Sequence, residues 1–100
     1  MARTPEGKVK DAVVKILKDY DAYYFFPVMN GYGRSGIPDI IVCFNGYFIA
    51  IECKAGNNKP TTLQARELDA ISSRGGKTLV LYENTVGNLK LLLTALGDKQ

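Results

Sequence analysis

Two apolar runs separated by Asn45-Gly46 constrain this chain more than any other stretch of it. Asn-Gly between such runs marks a two-residue hairpin, because both central residues of a type I′ turn need positive φ. The turn sets the register: Phe44 falls opposite Tyr47 and Cys43 opposite Phe48, and the ladder continued outward brings Asp39 opposite Glu52. The β-carbons of directly opposed residues lie about 4.5–5.5 Å apart. Lys54, two residues beyond Glu52, points to the same side. The open end of the hairpin is therefore expected to gather two carboxylates and an ammonium.

Like charges directly opposed on a sheet destabilise it. The neighbouring residues Ile40, Ile41, Val42, Phe44, Phe48, Ile49, Ala50 and Ile51 are apolar on both alternations, a pattern expected of strands buried on both faces. Carboxylates in such a setting need a proton, Lys54 or a bound cation to neutralise them. Mg²⁺ suits the position, because it takes one or two protein carboxylates and completes its shell with phosphate and water. The plainer alternative is a surface ion-pair cluster at a strand end.

One hundred residues give one domain, residues 1–100, with a single core. No apolar run approaches the ~20 residues of a membrane span, and the N-terminus lacks a signal-peptide apolar region. A cytoplasmic location, in a bacterium or a phage-infected cell, is the expectation. A net charge of +3 permits nucleic-acid binding without establishing it. The chain has no histidine, which excludes His-based metal nucleases, Cys2His2 fingers and Ser-His-Asp triads together. Its two cysteines, Cys43 and Cys53, fall on opposite faces of the hairpin and are expected to remain free thiols.

Thr4-Pro5-Glu6 has the form of a helix start, with Val9, Ala12, Val13, Ile16, Leu17 and Tyr20 following at helical spacing. Glu6 extends the buried stripe of that helix. It either complements the helix dipole or supplies a third carboxylate toward the metal. Residues 23–29 read as an edge or bulged strand because of Pro27. A glycine-rich loop, residues 30–36, leads into Ile37-Pro38-Asp39 and carries Arg34 and Ser35, candidate DNA contacts. It lacks the Gly-Lys-Ser/Thr ending of a Walker A loop, so no nucleotide cofactor is expected. Lys59, in the polar loop 55–60, and Arg66, on the next helix, complete the candidate nucleic-acid contacts. That helix opens at Thr61-Thr62-Leu63-Gln64, where Thr61 and Gln64 match a capping box, and runs to about Arg74 before Gly75-Gly76. Residues 77–83 form a strand, parallel to its neighbour because a helix precedes it. Asn84-Thr85 is placed to cap a short last helix over 89–96. The order α-β-β-β-α-β-α predicts an α/β fold: a central four-stranded mixed sheet flanked by helices, with the hairpin at its centre.

Gly36-Ile37-Pro38-Asp39, then Glu52-Cys53-Lys54, then Gln64 on the following helix resemble the PD-(D/E)xK nuclease superfamily, whose fold is restriction-endonuclease-like. The spacing, the paired glycines before the last strand and the short length look most like the VRR-NUC family, in its small stand-alone phage and bacterial form. The resemblance runs from Glu6 to about Leu96. The Val-Arg-Arg signature that names the family is absent. The resemblance implies that Asp39 and Glu52 bind metal together with the Cys53 carbonyl, and that Glu6 corresponds to the acid of the first helix. It implies that Lys54 orients or deprotonates the attacking water, with Gln64 near the reacting groups. The implied activity is Mg²⁺- or Mn²⁺-dependent hydrolysis of DNA phosphodiesters, selective for structure. A homodimer presenting two sites to branched DNA, such as a four-way junction in repair, would fit that activity. Rival readings are an archaeal-type Holliday-junction resolvase, a restriction-like endonuclease, a DNA-binding module that does not cut, and a structural protein whose carboxylates pair with lysines.

Overall fold

The structure, a computed structural model of the chain, describes residues 3–28 and 33–97. Its elements are α1 (Pro5–Asp19), β1 (Tyr23–Phe25), β2 (Ile40–Phe44), β3 (Tyr47–Cys53), α2 (Thr62–Ser72), β4 (Lys77–Leu81) and α3 (Gly87–Gly97). The four strands form one mixed sheet in the order β1-β2-β3-β4. The first two pairings are antiparallel and β3 runs parallel to β4, as the helix between them requires.

The hairpin forms in the register its turn dictates. Asn45 and Gly46 adopt φ of 52° and 83°, Phe44 pairs with Tyr47, Cys43 with Phe48, and the ladder runs out to Ile40–Ile51. Asn45 has a second role: its Nδ2 donates to the carbonyl of Leu96 at 3.2 Å, satisfying one of the last carbonyls of α3. The turn thereby holds the C-terminal end of that helix against the sheet.

Alternation along the strands makes one face of the sheet the core. Ile40 and Val42 of β2, Ile49, Ile51 and Cys53 of β3 and Leu81 of β4 pack against Val9, Val13, Ile16 and Leu17 of α1 and Leu89 and Leu93 of α3. Thr4 caps α1 by accepting from the Gly7 amide at 3.0 Å. The capping box of α2 is complete: Thr61 Oγ1 accepts from the Gln64 amide and Gln64 Oε1 from the Thr61 amide.

The opposite face departs from the expectation that the hairpin is buried on both sides. Among the described helices α2 lies there, packed mainly on β4, so helical cover falls on the β3–β4 half. Ala50, Glu52 and Lys54 are buried, whereas Phe48 is 49% exposed and Cys43 is open to solvent. One helix of eleven residues is too narrow to cover four strands, each about 4.8 Å from the next. Element ends also move. β1 ends at Phe25, two residues before Pro27, and Met29 to Tyr32 lie outside the described residues. β4 stops at Leu81, α2 at Ser72, and α3 begins at Gly87. Thr85 does not cap α3; its Oγ1 accepts from the Tyr82 amide at 2.9 Å and closes the turn after β4.

Gly36 fixes how the segment before β2 meets α2. Its φ is +86°, and a β-carbon there would stand 2.6 Å from the Leu63 carbonyl carbon and oxygen. Gly46 has a similar φ of +83° but open space around it. Gly46→Ala is expected to cost the ~1–2 kcal/mol of a left-handed L-residue. Gly36→Ala should add a steric cost of ~1–3 kcal/mol to the same conformational term. Urea unfolding of the two variants measures this difference, and equal midpoints would show that the loop does not press on α2.

Candidate active site

The central strand β3 carries Glu52 and ends one residue before Lys54, two of the candidate site residues. Glu52 sits near its end with 1% of its surface exposed, on the α2 side, because its neighbours Ile51 and Cys53 face the α1–α3 core. Neither Oε1 nor Oε2 has a hydrogen-bond partner among the described residues. The nearest cation is Lys54, whose Nζ lies 3.6 Å from Oε2 and whose side chain is itself buried. Burial pushes the Glu52 carboxyl up from its ordinary value to about 7, and the negative charge of Asp39 pushes the same way. Lys54 pulls in the opposite direction without compensating fully.

Asp39 follows Pro38 and immediately precedes β2. The next step of the Ile40–Ile51 ladder puts it opposite Glu52. Its Oδ2 accepts from the Cys53 amide at 2.8 Å, so this side chain occupies the place of a ladder carbonyl and is held against β3. The other Asp39 oxygen is not engaged in a described hydrogen bond and remains available. Asp39 also borders a cavity of about 590 Å³ that Arg3, Lys10, Phe26, Pro27 and Ile37 help to line.

Cys53 points its side chain into the core, and burial, with Asp39 as the next contribution, pushes the thiol up to about 12. A protonated, core-facing thiol is no metal ligand, so this residue could offer only its carbonyl. Glu6 is half-buried on the first turn of α1, close enough for its charge to reach the Cys53 thiol, though more weakly than those of Asp39 and Glu52. Among the described residues, no three His, Cys, Asp or Glu side chains converge into a metal-holding group. The side chains alone supply two carboxylates, and a metal shell would need other oxygens. The two bare oxygens of Glu52 fit such an ion, since buried carboxylates without partners call for a cation.

Gln64 is committed through its Oε1 to the α2 cap. Its amide nitrogen makes no described hydrogen bond and can still donate. Arg34 forms a 2.9 Å ion pair with Glu67 of α2. It shares a surface groove with Arg66, Ala70, Ile71 and Arg74. Ser35 and Lys59 are exposed. The loop bearing Lys59 is tied to the end of β4: the Gly56 amide donates to the Glu83 carboxylate and Tyr82 Oη donates to the Asn58 carbonyl. The structure thus groups Asp39, Glu52, Lys54 and the Cys53 backbone tightly, brings Arg34 and Arg66 together, and leaves Ser35 and Lys59 on the surface.

The four-stranded mixed sheet with its three helices has counterparts among solved structures. A VRR_NUC domain superimposes with a TM-score of 0.75 at 26% identity, over 89% of this chain and 97% of that one. The fold of the chain is the VRR-NUC fold. A second VRR_NUC domain protein gives 0.72 at 21% identity, over 97% of this chain and 93% of that one. The chain is also 44% identical over 58 residues to "Putative nuclease p44" of Acyrthosiphon pisum secondary endosymbiont phage 1. That match spans 57% of this chain and 62% of the phage protein's length. No family model matches the chain.

Within this VRR-NUC fold, three cations emerge that the sequence reading did not select, the first of them Arg3, which lines the Asp39 cavity paired with Asp11. Lys10 borders the Asp39 cavity, and its position one helical turn after Glu6 was a usable signal. Arg74, just past the end of α2, joins the groove of Arg34 and Arg66, and its place eight residues beyond Arg66 was another signal.

The raised Glu52 value has a definite consequence for stability. Below pH 4.5, its ordinary value, the carboxyl is neutral in both folded and unfolded chains and contributes nothing. Between 4.5 and about 7 the unfolded chain ionises first, so folding is progressively disfavoured, and above that the penalty is constant. Glu52→Gln removes the titration. In EDTA, the stability of the variant relative to the parent should rise from pH 4.5 to 7 and then level off. Denaturant melts across that range test this, and a difference falling with pH would mean that the fold favours the charged carboxylate.

Proposed function

We propose that the chain is a divalent-metal-dependent DNA endonuclease that hydrolyses phosphodiester bonds and selects branched DNA such as four-way junctions. The observation that carries this reading is Glu52, a carboxylate buried in the central strand with no described hydrogen bond to either oxygen, 3.6 Å from the buried Lys54 ammonium and opposite Asp39. The likeness to VRR_NUC domains and to a phage protein named as a nuclease supports the same reading.

Asp39 and Glu52 would hold Mg²⁺ or Mn²⁺ with the Cys53 carbonyl, Glu6 lying close by, and phosphate and water oxygens completing the shell. Such an ion, when bound, polarises the scissile phosphate and acidifies a water. The chain's own groups do the rest. The Cys53 amide fixes the Asp39 carboxylate, so one oxygen is always presented in the same place. Lys54 Nζ, held by burial and by Glu52, orients the attacking water or takes its proton and meets the charge that grows on phosphorus. The free amide of Gln64 donates to a phosphate oxygen. Lys10 draws the backbone into the cavity beside Asp39, where Arg3 is paired with Asp11, and Arg34 and Arg66, with Ser35 and Lys59, hold neighbouring phosphates. Water adds to phosphorus as the bond to one sugar oxygen breaks, leaving a phosphate end and a hydroxyl end. A homodimer would present two such sites to the strands meeting at a junction. The setting would be the cytoplasm of a bacterium or a phage-infected cell.

The test is cleavage of four-way junction, flap and linear duplex DNA in Mg²⁺, Mn²⁺ or EDTA. Junction cutting that requires metal, and that Lys54→Ala lowers by about 100-fold or more, is the expected result. Each metal should also raise the melting temperature, an effect that Asp39→Ala should remove. Undiminished cutting by Lys54→Ala would overturn the assignment, and light scattering that finds a monomer both free and on DNA would overturn the dimer.

A further inference from the structure

The sheet face that carries the carboxylates continues, uncovered, into a strip of aromatic rings. Directly paired residues share a face, so the register arranges this one in rows. Asp39 and Glu52 form the first, Phe25, Ile41 and Ala50 the second, and Tyr23, Cys43 and Phe48 the third. Rows two residues apart lie about 7 Å from one another. α2 covers the β3–β4 side of these rows, leaving Tyr23, Phe25 and Phe48 67%, 46% and 49% exposed. The Tyr23 and Phe25 rings stand 6.3 Å apart between centroids, adjacent along the edge strand. At Phe48 the strip meets one cation: Arg74 borders that ring with Ile71, and both also line the groove that holds Arg34 and Arg66.

We infer that this open half of the sheet is a stacking surface for unpaired nucleotides of the DNA, running from the carboxylates over Phe25 to Tyr23 and Phe48. The inference rests on the nuclease reading and extends its branched substrates to those with a single-stranded segment beside the cleaved bond, such as flaps. Three features on the same face support it. Exposed rings on a sheet offer π-faces that any base can cover. The arginine groove joins the strip at one edge and matches the charge of a backbone whose bases lie on the rings. The strip begins one row from Asp39. A second copy of the chain seated on the strip would lie against the Asp39 row and close it to DNA.

The experiment measures binding of a short single-stranded DNA carrying 2-aminopurine, in EDTA so that nothing is cut. Stacking should quench the probe. Phe25→Ala, Tyr23→Ala and Phe48→Ala should each weaken binding about tenfold, the loss of one stacked base. Phe25→Leu should weaken it nearly as much, because leucine keeps the apolar cover but has no ring, whereas Phe25→Tyr should bind as the parent does. The inference is overturned if the parent does not bind the oligonucleotide, or if Phe25→Leu binds as tightly as the parent. It is also overturned if the alanine variants convert a dimer to a monomer in sedimentation with affinity unchanged, since the strip then seats a second copy. A failed cleavage test with Lys54→Ala would leave these binding results standing, so the two readings fail separately.

Discussion

Positive φ at Asn45 and Gly46 is the constraint from which the rest of the molecule follows. A two-residue I′ turn permits one register, and with side-chain period two a slip of one residue would exchange the faces of β3. Ile49, Ile51 and Cys53 would then turn outward, and Glu52 and Lys54 would be driven into the packing of α1 and α3. The same turn places Asp39 at the level of Glu52 and, through the Asn45 side chain, secures the end of α3. One dipeptide thus sets the core and the site together, which is why the acids can sit on strand ends rather than on loops.

Against that ordered core, Glu52 is a local conflict. Strand propensity, pattern and packing all favour an apolar residue in the central strand, and the carboxylate is placed there without a hydrogen bond. Lys54 at 3.6 Å offsets part of the cost, yet the carboxyl is still raised to about 7. Natural sequences keep such conflicts where function requires them. A cation between Asp39 and Glu52 would relieve it, so the interaction that weakens the metal-free fold is the one that would tighten metal binding.

What the sequence made legible was whatever short-range chemistry determines. The turn, the register, the Thr4 and Thr61–Gln64 caps, the parallel β4 and the free cysteines all follow from residues a few positions apart. What it concealed depends on tertiary area. Apolar residues on both alternations of β2 and β3 read as two buried faces, but only the final structure reveals that α2 is too narrow to cover Cys43 and Phe48. Thr85 looked like a cap and instead closes the turn after β4, because the Tyr82 amide at the strand end needed an acceptor. The position of Asp39 at the level of Glu52 was legible, whereas its bond to the Cys53 amide was not, since that contact exists only once the strands have paired. Arg74 and Lys10 had the helical spacing to be found, but spacing without a docked partner does not say which face looks at the site.

The incomplete cover of the second sheet face is linked to the chemistry. Had a longer helix or a second one lain across β1 and β2, Ile41 and Phe25 would be core residues. A helix placed over β3 and β4 alone satisfies two demands at once. It buries Ala50 and Glu52, giving the carboxylate the low-dielectric surroundings that raise its proton affinity and strengthen its attraction for a cation. It also leaves the adjoining half of the same face free for a substrate to lie flat beside the acids. Gly36 keeps that division fixed, because its backbone rests directly on the Leu63 carbonyl and so locks the approach to Asp39 to the first turn of α2. The position of this one helix therefore governs both how strongly Glu52 calls for a counter-charge and how much of the sheet remains open beside it.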